Sequence, residues 1–149
     1  FVFAKRGIVP EAASSWFLPR LIGINKALEL CYTGKVISAE EAKEIRLVSE
    51  ILNQDKLIDR ALEIAKEFTA ESSQISIALT RQMMWRMLGA DDPMEAHKID
   101  SRAVFELGQS GEAIEGVNSF LEKRPPSFPG KVSKDMPSFF PWWDEKEFE

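Results

Sequence analysis

Apolar residues recur at helical spacing through the middle of the chain. The clearest case lies between Lys56 and Phe68, where apolar residues fall on one face and charged residues on the other. The apolar set is Leu57, Ile58, Ala61, Leu62, Ala65 and Phe68. The next segment, Ile75 to Leu88, is apolar nearly all round a helix. This pattern predicts burial on more than one side, as at a subunit interface.

Capping residues mark the starts of further helices. Ser38 followed by Glu41 has the spacing of a capping box, which predicts a short helix. Pro93 directly follows two aspartates and suits the first turn of a helix that runs to about Leu107. The apolar spacing then predicts a last helix over 112–124.

The chain begins with an alternating apolar stretch, Phe1 to Ala4, which predicts a β-strand. A second stretch with β-like alternation covers residues 47–52. A strand cannot satisfy its edge hydrogen bonds alone, and this sequence supplies few partners. We therefore infer from the sequence that the N-terminal half of a longer protein is missing.

Two short helices are predicted between these strand-like stretches. Serines at positions 14 and 15 cap the first helix, and Pro19 should limit it to about one or two turns. Asn25 caps a second helix over 26–32, which stops at Gly34. Glu11 lies before the first of these helices, directly after a turn marked by glycine and proline.

From Pro125 onward the composition changes to five prolines among several large aromatic residues. The aromatic residues are Phe128, Phe139, Phe140, Trp142 and Trp143. This tail is too aromatic for a disordered linker, so we expect an irregular segment that lies along a surface. The pattern as a whole predicts three regions: a mixed region over 1–52, a helical region over 53–124 and the tail over 125–149.

Charge and composition narrow the classes of function. The formal net charge of -5 and the scattered basic residues argue against nucleic-acid binding. No apolar run reaches the roughly 20 residues of a membrane helix, so we expect a cytoplasmic protein without a membrane partner. The single cysteine, Cys31, lies among apolar residues, which predicts an unreactive thiol in the core. The sequence suggests no metal site.

Glu11 is the leading candidate for chemistry. Apolar neighbours such as Val9 and Ala12 would partly desolvate its carboxylate, which favours proton transfer near neutral pH. The alternative is a carboxylate in the first turn of a helix, where it interacts with the helix dipole and contributes about 0.3–1 kcal/mol. The residues alone leave both interpretations open and favour the second.

Three other patterns have simpler explanations. His97 shares a helix face with Ser101, but a serine in mid-helix lacks the exposed turn and oxyanion hole of a catalytic triad. The methionines between 83 and 87 suit a core, with an acyl pocket as the alternative. Lys123 either stabilises carbonyl groups at the helix end or binds phosphate.

The order of several motifs resembles the C-terminal half of the enoyl-CoA hydratase/isomerase (crotonase) family. The motifs are Gly7 to Glu11, Leu18 to Gly23, Ala27 to Gly34, Ile37 to Ala42, Leu47 to Val48 and Glu115 to Arg124. The resemblance covers about residues 1–128 and leaves the aromatic tail outside. It implies a mainly α fragment of an α/β crotonase fold, with a residual N-terminal strand and a helical C-terminal trimerisation region.

The resemblance also implies an acyl-CoA thioester as substrate, no further cofactor, and a homo-oligomer that is a trimer or a dimer of trimers. The family holds a thioester enolate with two backbone N–H groups, and the stretches that supply them precede Phe1. We therefore expect this chain to hold only part of a site and to be inactive alone. Phe120 and Lys123 match residues that reach the nucleotide end of CoA, commonly in a neighbouring subunit.

The resemblance separates two reaction types. Hydratases of the family carry one of their two glutamates four positions before the glycine that matches Gly7, and Phe3 stands there. Family enoyl-CoA isomerases carry their carboxylate four positions after it, and Glu11 stands there. The resemblance thus favours an isomerase with Glu11 as base, with a hydratase (lyase) of fatty-acid oxidation or a non-catalytic assembly fragment as alternatives.

Two departures from the family pattern accompany the match. Arg46 occupies a position where the family usually has glycine before Leu47 and Val48. Trp16 and Phe17 replace a more polar pair found in many hydratases. The second departure suggests an altered acyl pocket.

Overall fold

The computed structural model describes residues 1–147, and within them it contains seven α-helices and no β-strand. The helices are α1 (Ser14–Ile22), α2 (Ile24–Thr33), α3 (Ala39–Glu44), α4 (Leu57–Thr69), α5 (Gln74–Met87), α6 (Pro93–Gly108) and α7 (Gly111–Glu122). Short 3-10 turns occur at Ala4–Arg6 and Gln54–Lys56. The chain forms two compact units, the first over Phe1–Ile58 and the second from Asp59 onward.

The predicted opening strand is wrong. Phe3 has helical backbone angles, and its carbonyl accepts hydrogen bonds from the N–H groups of Arg6 at 2.8 Å and Ile8 at 3.2 Å. Gly7 then ends this turn with a φ of 71°. The described residues supply no strand to pair with Phe1–Ala4, so local hydrogen bonds determine the conformation. The β-like stretch at 47–52 fails for the same reason and is irregular.

Helix α1 continues through Pro19, although the sequence predicted that proline would stop it early. Proline removes one helical hydrogen bond, but α1 packs against α2 directly after the connection at Gly23. Packing supplies most of the stability of short helices in proteins, and here it outweighs the missing bond. Helix α2 ends at Gly34 as predicted, in the left-handed conformation.

The cap predicted at Ser38 is confirmed. The Ser38 hydroxyl oxygen accepts a hydrogen bond from the N–H of Glu41 at 3.1 Å and so starts α3. The Glu41 carboxylate does not close the capping box, because it accepts a hydrogen bond from Lys35 Nζ at 2.7 Å instead. Lys35 also binds Glu29 at 3.1 Å, which joins the end of α2 to α3.

Helices α5 and α6 of the second unit start at capped residues. The Ser73 hydroxyl accepts from the N–H of Ser76 at 3.2 Å, and Asp92 Oδ1 accepts from the N–H of Met94 at 2.7 Å. Pro93 occupies the first turn of α6, as predicted.

A small core organises the second unit and includes a residue from the aromatic tail. Ile75 and Leu79 of α5 pack with Ala103 of α6 and with Phe139, which is 4% exposed. Residues 125–147 have no helix or strand. Only one face of α5 is buried within this unit, since Met84 is exposed. The interface predicted for the other face stays a prediction.

Gly130 holds the start of the tail against this core. Its N–H donates to Oε1 of the buried Glu112 at 2.8 Å. A Cβ atom at position 130 would lie 2.5 Å from Ile75 Cδ1 and 2.7 Å from that carboxylate oxygen. A larger residue here would have to displace the side-chain ends of Ile75 and Glu112, so the close approach favours glycine.

Candidate functional site

Glu11 lies in an exposed connection between Pro10 and α1. Its carbonyl accepts a hydrogen bond from the N–H of Ser14 at 3.0 Å and another from the Ser14 hydroxyl. The sequence predicted partial desolvation by neighbours, but Val9 is 78% exposed and Ala12 is also exposed. Glu11 is itself exposed, so within this unit its neighbours do not shield it from solvent.

The backbone that follows Glu11 is strained. Ala12 and Ala13 have φ values of 53° and 55°, in the left-handed region that residues with a Cβ avoid at a cost of about 1–2 kcal/mol each. The Ala13 carbonyl accepts from the N–H groups of Trp16 at 2.9 Å and Phe17 at 3.0 Å, which starts α1. Such strain concentrates at functional sites. This strain was not predicted, because consecutive alanines are typical of helices.

An aromatic pair covers the first turn of α1. The rings of Trp16 and Phe17 meet edge to face with their centroids 4.8 Å apart. The guanidinium of Arg20 lies 4.1 Å from the Trp16 ring centroid, and its Nη1 donates to the Trp16 carbonyl at 2.9 Å. Arg20 therefore fixes the indole one turn after Glu11.

The other two predicted site residues belong to the second unit and lie together at the end of α7. Phe120 is 81% exposed, and Lys123 is exposed at the C-cap with a φ of 55°. The Lys123 N–H donates to the Phe120 carbonyl at 3.3 Å. The structure therefore brings Phe120 and Lys123 together, whereas Glu11 is part of the first unit.

Next to Lys123 lies an ion pair that the sequence did not predict. Arg124 donates from Nη1 to Glu115 Oε1 at 2.6 Å and from Nη2 to Oε2 at 2.9 Å. The N–H of Ser127 also donates to Glu115 Oε1 at 2.6 Å. These charge-assisted hydrogen bonds, led by those from Arg124, lower the pKa of Glu115 from 4.5 to about 2. Both residues belong to the family motif from Glu115 to Arg124, but the motif did not predict that they form a contact.

A cavity of about 570 Å³ lies within the second unit. Its lining is mostly apolar and includes Leu79, Met83, Leu107 and Phe128, together with the acidic residues Asp100 and Glu112.

His97 is exposed on α6. In the described part of the chain, no three histidine, cysteine or acidic residues are placed to hold a metal ion. None of its helices has the length and apolar character to cross a membrane.

A family model described as enoyl-CoA hydratase/isomerase matches residues 2–131. This match covers both the turn that carries Glu11 and the end of α7 with Lys123. The chain belongs to the enoyl-CoA hydratase/isomerase family. The tail beyond residue 131, including the core residue Phe139, lies outside the match.

Relatives and solved structures agree with this assignment. The chain is 43% identical over 129 residues to the enoyl-CoA hydratase ACTT3 of Alternaria alternata, covering 86% of this chain and 43% of that protein. It is 30% identical over 135 residues to the 1,2-epoxyphenylacetyl-CoA isomerase of Escherichia coli, covering 87% and 48%. A crystal structure of an enoyl-CoA hydratase from Bacillus anthracis superimposes with a TM-score of 0.80 at 32% identity, covering 87% of this chain and 50% of that one. The chain therefore spans about half the length of these relatives.

Proposed function

We propose that this chain forms part of an enoyl-CoA isomerase that moves a double bond from C3–C4 to C2–C3 of an acyl-CoA thioester, with Glu11 as the base. The observation that carries the proposal is the strained turn at Ala12 and Ala13, which fixes Glu11 directly before α1. Phe3, at the position of a hydratase glutamate in the resemblance, offers no second acid.

The proposed reaction needs one carboxylate. The Glu11 carboxylate removes a proton from C2, and the electron pair delocalises into the thioester to give a dienolate. Re-forming the carbonyl shifts the double bond to C2–C3 as the same carboxyl group returns the proton to C4. Two backbone N–H groups stabilise the thioester oxyanion in the family, and they belong to the family region that precedes the one matched here.

The nucleotide end of CoA is proposed to bind at Phe120 and Lys123. An exposed phenylalanine beside a lysine offers a face for the adenine ring and a cation for a phosphate. In this proposal the site serves a neighbouring subunit of a trimer or dimer of trimers, with residues 53–124 as the trimerisation region. Exposed apolar residues on α6 and α7, such as Val104 and Val117, support such an interface. The cytoplasmic location stays a prediction.

Replacing the proposed base tests the function. Glu11→Gln in the active enzyme should lower kcat for 3-enoyl-CoA isomerisation by several orders of magnitude, because glutamine cannot accept the C2 proton. Glu44→Gln, at another exposed glutamate of the first unit, is the matched control and should keep full activity. Near-normal isomerisation by the Glu11 variant would remove the assignment.

A hydratase is the second candidate, because the relatives with 43% identity are named enoyl-CoA hydratases. Its reaction adds water across a C2–C3 double bond. It would use an acid from the family region that precedes the one matched here, instead of Glu11. The product distinguishes the two reactions, since hydration yields a 3-hydroxyacyl-CoA.

The third hypothesis is a non-catalytic helical assembly segment. Micromolar binding of CoA to the 149-residue chain in calorimetry would count against it.

A further inference from the structure

The two adjacent cations at the end of α7 have different surroundings. Every nitrogen of the Arg124 guanidinium donates to the protein: Nε binds Glu122 at 2.6 Å, while Nη1 and Nη2 bind Glu115. Nη1 also donates to the Pro125 carbonyl at 3.2 Å. Lys123 forms no side-chain hydrogen bond or ion pair within residues 1–147. Only the lysine is therefore available to an outside anion.

The backbone at Lys123 is held in an uncommon conformation. Residues with a Cβ rarely adopt the left-handed region, yet Lys123 has a φ of 55° and a ψ of 40°. The N–H of Arg124 donates to the Ser119 carbonyl at 3.0 Å, and the N–H of Lys123 donates to the Phe120 carbonyl. This pair of bonds is the Schellman motif, in which glycine is usual at the position of Lys123.

The Glu115–Arg124 pair joins the helix before Lys123 to the residue directly after it. Glu115 is on α7, eight residues before Lys123, and it binds Arg124 immediately after Lys123. The same carboxylate accepts the N–H of Ser127, so the chain beyond the helix is fixed as well. Movement of Arg124 away from α7 would therefore break a two-point charge-assisted contact.

We propose that the Glu115–Arg124 pair is a positioning device that holds Lys123 in its left-handed conformation, from which the ammonium group binds a phosphate of the CoA nucleotide. Glu115 and Arg124 act through Lys123 and do not touch the ligand. The inference rests on the proposed nucleotide-binding role of Lys123, and it assigns the two cations of this motif to separate tasks.

Positioning and simple charge attraction predict opposite results for one substitution. Glu115→Gln removes a negative charge near the site, so charge attraction alone predicts tighter binding of an anionic nucleotide. Positioning predicts weaker binding, because Arg124 loses its charged partner and Lys123 loses its support. Arg124→Lys keeps the charge and removes the planar two-point contact, so charge attraction predicts no change and positioning predicts a loss.

The test measures the dissociation constant of 3′-phosphoadenosine 5′-diphosphate, the nucleotide end of CoA, by calorimetry on the 149-residue chain. Lys123→Ala should weaken binding roughly three- to fivefold, the range expected for an exposed ion pair. Glu115→Gln and Arg124→Lys should each cause a loss of similar size. All three substitutions act through the contact between the Lys123 ammonium group and the nucleotide phosphate. The double variant Glu115→Gln with Lys123→Ala should therefore bind no more weakly than Lys123→Ala alone.

Lys98→Ala and Glu95→Gln on α6 are matched controls for loss of a single charge and should leave the constant unchanged. Circular dichroism shows whether each variant keeps its helices. Tighter binding by Glu115→Gln, or additive losses in the double variant, would overturn the positioning role. Equal binding by the native chain and Lys123→Ala would overturn the nucleotide role of Lys123, while the isomerase role of Glu11 is decided separately by turnover.

Discussion

Four residues other than glycine hold the left-handed backbone conformation within residues 1–147: Ala12, Ala13, Arg46 and Lys123. Three of them adjoin or form the proposed site, where strain is expected to persist for function. Arg46 stands apart, after α3, at the position where the family pattern usually has glycine. The structure explains that preference, because the φ of 62° at this position suits glycine.

Arg46→Gly should therefore stabilise the chain by about 0.5–1 kcal/mol, since relief of the left-handed strain exceeds the added entropy of glycine in the unfolded state. Lys43→Gly, within α3 and three residues earlier, is the matched control. It should destabilise by about 1 kcal/mol, because glycine is unfavourable inside a helix. Urea unfolding of both variants measures the difference, and a loss of stability in Arg46→Gly would show that the left-handed backbone at position 46 is not strained.

Among the elements, local signals predicted where the helices lie, but the caps predicted at the two serines of α1 and at Asn25 are wrong, because α1 begins after Ala13 and α2 after Gly23 without a side-chain cap. The two predicted strands are also wrong. Start signals such as the Ser38 cap and the first-turn Pro93 act through neighbouring backbone groups, so the local sequence is enough to predict them. A strand depends on partners distant in sequence, and Phe1–Ala4 has none among the described residues. The contribution of Phe139 to the core also escaped prediction, because an irregular tail has no periodic pattern.

Phe139→Ala should lower the free energy of unfolding by about 3–5 kcal/mol, because it empties a core position between α5 and α6. Phe105→Ala, on α6 and 69% exposed, removes the same side chain from the surface and should change stability by less than about 0.5 kcal/mol. Chemical denaturation followed by circular dichroism compares the two. Similar losses in both variants would show that the tail does not complete this core.

At the scale of the whole molecule, family membership follows from sequence motifs spread from the first turn to the end of α7. The proposed site is less predictable. The resemblance suggested Glu11, Phe120 and Lys123 as candidates, and their roles stay a proposal, but the sequence did not reveal the exposure of Glu11 or the pair beside Lys123. In the proposed assembly, exposed apolar side chains such as Val104 and Val117 would be covered, and Glu11 would gain the dry surroundings that favour proton transfer.

The most direct measurement gives the active enzyme 3-enoyl-CoA and 2-enoyl-CoA separately and determines kcat/KM for isomerisation and for hydration. We expect isomerisation to be the faster reaction, because Glu11 supplies one base and Phe3 leaves the hydratase position without an acid. Formation of 3-hydroxyacyl-CoA from 2-enoyl-CoA at a higher kcat/KM than isomerisation would contradict it.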